Sequence, residues 1–225
     1  MSIAQEIQRI QQELAPTSAR LVVVTKTRSI AELQETLDAG VIDFGENRVQ
    51  EMVEKQALLP ANIQWHQIGH LQTNKVKYIA PFVHLIHSVD SMKLLVEVNQ
   101  QALKNQRIIP CLLQIYIAQE ESKFGLSQDE ILQLLNDPIF ATLKHIRIVG
   151  LMGMASFTEN VGQVKKEFES LKTLFEFLKS NQIGESTGLV RWEEISMGMS
   201  GDYLVASELG STLVRVGSAI FGPRA

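Results

Sequence analysis

Lys26 closes the apolar run Leu21-Val-Val-Val-Thr25 and is followed at once by the capped helix start at Ser29. A lysine held at the end of a buried strand is partly desolvated. That pushes its ammonium toward the neutral amine, the form that attacks a carbonyl to make a Schiff base. An ordinary lysine snorkelling from a strand end is the alternative. Near the C-terminus, Ser196-Met-Gly-Met-Ser200-Gly-Asp202 and Arg215-Val-Gly217-Ser218 are rich in small residues. Small residues let backbone approach a ligand closely, and free N–H groups at a turn cradle an anion. These glycines and serines could equally only make turns, and Arg215 could be a cap or an ion-pair partner. A reactive amine combined with a phosphate grip suits a ligand with an aldehyde at one end and a phosphate at the other. Pyridoxal 5′-phosphate (PLP) has that form. Sugar phosphates have it too, so a Schiff-base sugar-phosphate aldolase is a chemical competitor. PLP additionally wants a partner for its pyridine nitrogen and a group near its phenolic oxygen. Arg215 could serve the first and Asn47 the second.

Other chemistries fit less well. His66 and His70, four apart on or after a strand, would lie about 13 Å from each other at the usual rise, too far to share a metal ion. His84 and His87 would point to opposite faces, and His145 reads as a surface helix-end residue. With one cysteine, Cys111, inside the apolar run 108–117, no metal site is expected. Cys111 reads as a buried thiol, no intrachain disulfide is possible, and a reducing cytoplasm fits. The stretch Met197-Gly-Met-Ser200-Gly201 misses the spacing of a serine-hydrolase elbow. A net charge of -4 and the absence of basic runs argue against nucleic acid or an anionic membrane as partner. No stretch is long and apolar enough to cross a bilayer, and the N-terminus does not read as a signal peptide.

The elements that must position these residues are legible as an alternation. Strand candidates fall near 20–25, 41–44, 64–68, 83–88, 108–117, 146–151, 193–196 and 213–216, with helical patterns between them and no linker. Ser29 with Glu32, and Ser127 with Glu130, form capping boxes. Val161, Val164, Phe168, Leu171, Phe175 and Leu178 make a core-facing stripe. Apolar residues at 3, 7, 10 and 14 mark an amphipathic helix before the first strand. Eight strand–helix units in 225 residues predict a single (β/α)8 barrel over 1–225 with an extra N-terminal helix. A doubly wound open sheet is the runner-up, weakened by the lack of a Gly-x-Gly-x-x-Gly turn after the first strand. In a barrel the site is built from loops at the C-terminal strand ends, which are polar here. Loops seven and eight are the usual phosphate grip. Lys75 and Lys123 are candidates for a secondary or transfer site, though solvated loop lysines read the same way.

Six ordered segments resemble the pyridoxal phosphate homeostasis protein family. They are Val23-Val-Thr-Lys26-Thr, Phe44-Gly-Glu-Asn47-Arg-Val-Gln-Glu51, Trp65-His-Gln-Ile-Gly-His70-Leu-Gln-Thr-Asn74-Lys75, Gly150-Leu-Met-Gly-Met154, Ser196-Met-Gly-Met-Ser200-Gly-Asp202 and Val214-Arg-Val-Gly217. The resemblance implies a barrel like the N-terminal domain of alanine racemase, with PLP held as an internal aldimine on Lys26. It further implies Asn47 beside the cofactor and Met154 and Ser156 near its ring. Ser196, Met197, Gly217 and Ser218 would lie at the phosphate, and Arg215 toward the pyridine nitrogen. A cation there opposes protonation of that nitrogen and weakens the electron sink. The racemase uses a second base, a tyrosine from another domain, which none of Tyr78, Tyr116 or Tyr203 is placed to replace. The resemblance therefore implies a non-catalytic, cytoplasmic PLP-binding protein acting on vitamin B6 and amino-acid balance. Acceptor apo-enzymes are possible partners, and a monomer is expected. An amino-acid racemase-like enzyme is the alternative.

Overall fold

The computed structural model describes residues 2–118 and 125–222; Lys123 lies outside them. The strands are β1 (Arg20–Val24), β2 (Asp43–Glu46), β3 (Gln64–Gln67), β4 (Leu85–Val89), β5 (Ile109–Tyr116), β6 (Ile146–Met154), β7 (Val190–Met199) and β8 (Leu213–Val216). They pair in parallel and in sequence order, and β8 returns to β1, so the sheet closes into a barrel. Closure removes the doubly wound alternative, which needs an open sheet. The helices are α1 (Ile3–Leu14), α2 (Ile30–Asp38), α3 (Val49–Leu58), α4 (Val76–Ile79), α5 (Met92–Lys104), α6 (Gln128–Asn136), α7 (Val161–Ser180), α8 (Tyr203–Glu208) and α9 (Ser218–Phe221).

Local sequence explains the helix ends. Ser2, Ser29 and Ser127 each cap a helix, the hydroxyl accepting from the N–H three positions on and the serine N–H donating in return to that residue's side chain. On α7 the apolar stripe turns Val164, Phe168, Leu171, Phe175 and Leu178 inward, whereas Val161 at its first turn is 62% exposed. On α1, Ile7, Ile10 and Leu14 are buried, so this added helix packs on the barrel through one apolar face.

Two cores result from the alternation of side chains along each strand. Outward-facing residues such as Val23, Phe44, Ile86 and Met197 join the helices in the large shell. Inside the barrel, Val22, Leu85, Leu112, Val149, Met152 and Leu213 form a small apolar plug. Two residues further along β4 and β8, the same inward face carries His87 and Arg215, both buried. The interior thus turns from apolar to polar toward the C-terminal strand ends.

Most strand bounds differ from the periodicity; β6, for one, runs three residues further, to Met154. β2 and β4 run to Glu46 and Val89, two residues and one residue beyond the apolar runs. β7 extends to Met199 because its pairing with β8 slips: Ser196 faces Leu213 but Met199 faces Arg215, three residues against two. This bulge at Met197-Gly198 re-aims the end of the strand and the loop beyond it. Gly198 takes a φ of +93°, and a Cβ there would come within 2.5 Å of Ala206 Cβ, so only glycine lets α8 close on the strand.

Candidate functional site

A cavity of about 800 Å³ opens at the C-terminal ends of the strands, the size of a small-molecule site. Lys26, Asn47, Met154, Ser156, Arg215, Gly217 and Ser218 all line it. Ser196 and Met197 do not, and here the sequence reading needs correction. Both lie within β7, short of the loop. Ser196 is fully buried with its hydroxyl bonded inside the barrel, and Met197 packs outward into the helical shell. Because of the bulge, Met199, Ser200 and Gly201 take their place on the cavity wall.

Lys26 follows β1 by two residues, and its flanking backbone is pinned from α3. Lys55 Nζ donates to Thr25 O at 2.7 Å, and Thr27 N donates to Glu51 Oε1 at 2.5 Å. Thr27 has φ +63°, an uncommon conformation for a β-branched residue, so its N–H bond holds a strained turn beside the lysine. Lys55 also reaches Glu46 Oε1 and Glu51 Oε1 at 2.7 and 2.6 Å, and Thr25 Oγ1 donates to Glu46 at 2.6 Å. Burial pushes the Glu46 carboxyl up, against the pull of Lys55 and Thr25. Glu46 and Glu51 stand inside the Phe44-to-Glu51 segment, but their part as supports of Lys26 was missed. The nine- and four-residue spacing to Lys55 was the available signal, the second of these being one helical turn.

Asn47 is placed by β3. Gln67 Nε2 donates to Asn47 O at 3.1 Å and to Gly69 O at 2.9 Å, while Ser88 Oγ donates to Gly69 O at 2.6 Å. A Cβ on Gly69 would sit 2.7 Å from Asn47 O, so the bare glycine lets the two loops touch. Ser156 is fixed by Glu167 of α7, which accepts from its N–H and its hydroxyl at 2.7 and 2.8 Å.

At the far wall, the N–H groups of Gly217 and Ala219 converge on one oxygen, Ser200 Oγ, at 3.1 and 3.3 Å. Convergent donors of this kind suit a phosphate oxygen. Arg215 donates through Nη2 to Gly153 O at 3.1 Å, and burial lowers its pKa to about 10, countered by Asp202. Asp202 accepts from Met199 N at 2.5 Å, and desolvation raises its carboxyl. On the opposite rim, His70 Nδ1 lies 3.5 Å from Asp90 Oδ2, and both residues line the cavity.

The histidines are closer together than their spacing along the chain implied. The His66 ring centroid is 5.3 Å from that of His84 and 5.1 Å from that of His87. They meet across the β3–β4 pair, a register that linear spacing does not contain. Among the described residues, no group of three or more His, Cys, Asp or Glu side chains is arranged to hold a metal ion. No helix among them is long and apolar enough to cross a membrane.

Comparison with known proteins gives a consistent set of relatives. The family "Alanine racemase, N-terminal domain" matches residues 1–225. A pyridoxal phosphate homeostasis protein of Aquifex aeolicus is 36% identical, covering 92% of this chain and 87% of its own. One of the same name from Synechocystis is also 36% identical, over 93% of each. The structure of PipY from Synechococcus elongatus with PLP bound superposes with a TM-score of 0.84 at 31% identity, covering 98% of this chain and 100% of that one.

Proposed function

The chain belongs to the alanine racemase N-terminal domain family, and from that premise we propose that it binds PLP in the cavity at the C-terminal strand ends and serves in homeostasis of that cofactor. One observation carries the reading. An amine, Lys26, and the small residues Ser200, Gly217 and Ser218 line one cavity, matching the aldehyde and the phosphate of a single ligand. PLP, once bound, supplies an electrophilic aldehyde for attachment to the Lys26 amine and a ring that withdraws electrons. The protein's own groups do the rest. Asn47 borders the ring site, Met154 and Ser156 flank it, and Ser200, Gly217 and Ser218 grip the phosphate. Arg215 faces the pyridine nitrogen as a donor-only group. A guanidinium there keeps that nitrogen unprotonated and damps carbanion chemistry, which suits holding the cofactor over turning it over. A cytoplasmic monomer that passes PLP to acceptor apo-enzymes is the fuller form of the proposal.

Borohydride reduction of the PLP-loaded protein followed by peptide mass mapping tests it. The modified residue is Lys26, and Lys26→Ala abolishes both the adduct and the visible absorption of the bound cofactor. An adduct of equal yield in that variant would remove the assignment.

The pairing of His70 with Asp90 on the cavity rim favours one second reading, a racemase-like activity with His70 as base. Solvent deuterium entering the Cα of an amino acid at turnover rates, and lost in His70→Ala, supports it. No incorporation leaves binding alone.

A further inference from the structure

The barrel interior holds a row of polar side chains that attachment of a cofactor at Lys26 does not use. Arg215 Nη1 donates to Ser196 Oγ at 2.5 Å, and His87 Nδ1 lies 2.9 Å from the same hydroxyl. His87 Nε2 is 2.9 Å from His66 Nδ1, and His66 Nε2 is 2.9 Å from Asp43 Oδ1. Asp43 is the first residue of β2, so the row starts at the barrel end opposite the cavity mouth. There Asp43 is 17% exposed and borders a separate cleft with Arg20 and Val41. The four other members are buried.

The two ends of the row fix its direction. A guanidinium can only donate and a carboxylate can only accept. Having accepted from Arg215, the Ser196 hydroxyl has one proton to give, and the acceptor in reach is His87 Nδ1. His87 therefore carries its proton on Nε2 and donates to His66 Nδ1. His66 in turn carries its proton on Nε2 and donates to Asp43. The reverse tautomers fail at both ends. A bare His66 Nε2 would face a carboxylate, and the Ser196 hydroxyl would accept from both sides with its own proton undelivered. Burial above all, with the fixed charge of Arg215, holds His87 well below the ordinary histidine value, which keeps it neutral.

We propose that Asp43, His66, His87 and Ser196 are positioning residues: a one-directional hydrogen-bond chain through the barrel that orients Arg215 in the cavity and conveys to it the charge state of Asp43 on the opposite face. Only the last link, from Arg215 to the cofactor, rests on the PLP reading. The charged and titratable groups around the chain are Arg20 and His84 at the Asp43 end, Arg107 beyond His84, and Asp202 beside Arg215.

Two measurements decide it. In the first, ¹⁵N-histidine NMR of the wild-type protein without added PLP reads the tautomers directly. Both His66 and His87 are neutral with the proton on Nε2; an Nδ1–H tautomer or an imidazolium at either overturns the chain. In the second, Ser196→Ala and Asp43→Asn are loaded with PLP. Ser196→Ala cuts the chain beside Arg215 and weakens PLP binding about tenfold, the scale of one charge-assisted hydrogen bond. Asp43→Asn removes the distant charge and shifts the pH midpoint of the cofactor's visible band in a protein whose cavity is untouched. If Asp43→Asn leaves that midpoint at the wild-type value, nothing is conveyed and the proposal falls. If the wild type binds no PLP, the proposed function fails, while the NMR result still decides the chain.

Discussion

The lysine proposed to carry PLP depends on neighbours that do not line the cavity. Glu46 and Lys55 are buried together, and each bonds Thr25, one position before Lys26. Removing one partner of a buried pair leaves the other charge stranded, so Glu46→Ala should cost about 3 kcal/mol in urea unfolding. It should also loosen PLP, measured as a raised dissociation constant. Glu51→Gln is a gentler probe, since its amide oxygen can still accept from Thr27 N–H. Glu51→Ala cannot, and should lose more PLP affinity than Glu51→Gln; equal affinities would separate Glu51 from the positioning of Lys26. On the other wall, Gly69→Ala drives a methyl group into the Asn47 backbone. A Cβ at that distance must displace the loop, so PLP affinity should drop even where the melting temperature changes little.

At the scale of whole elements, stability sits where the local code is strongest. Phe168→Ala on α7 removes a fully buried ring and should cost about 3–5 kcal/mol, whereas Val161→Ala on the same stripe should stay within about 0.5 kcal/mol. Urea titration of the pair checks whether the stripe is core along its length or only past its first turn. The stripe, the capping boxes at Ser29 and Ser127 and the first helix were all readable because each depends on residues three or four apart. That Lys26, Asn47, Gly217 and Ser218, with Arg215 near the end of β8, line one cavity followed from the rule that barrel sites form at strand ends. Ser196 and Met197 were misassigned because a bulge between β7 and β8 depends on how two strands register, which neither strand encodes alone. The His66–His87 contact escaped for the same reason, since the two rings meet across a strand pair, 21 residues apart in the chain.

For the molecule as a whole, the buried histidines set the response to acid. His87 and His84 are both held below the ordinary value of 6.5, by burial first and then by neighbouring charge. Below 6.5 the unfolded chain takes up protons that the folded chain refuses, so stability falls as pH drops from there toward the folded values. Asp43 adds in the same direction at lower pH. Burial acts to raise its carboxyl, but the hydrogen bond from His66 and nearby positive charge outweigh it, so the stability it contributes is lost as pH falls through its depressed value. Glu46 opposes them. Its raised pKa gives a contribution present in acid and lost as pH climbs through that value. The histidines dominate just below neutrality, so the urea midpoint should decline from neutral pH to below about 6. A flat profile there would mean that His84 and His87 are solvated in the folded state.

The return of β8 to β1 has one more consequence. A ring of strands has no loose border, so every ladder is satisfied within the chain and no other polypeptide can extend the sheet by laying a segment alongside it. An acceptor enzyme of the proposed hand-over would therefore meet this protein through side chains, on the rim around the mouth or on the outer helices, and under that proposal substitutions confined to the rim should impair transfer while retention of the cofactor persists.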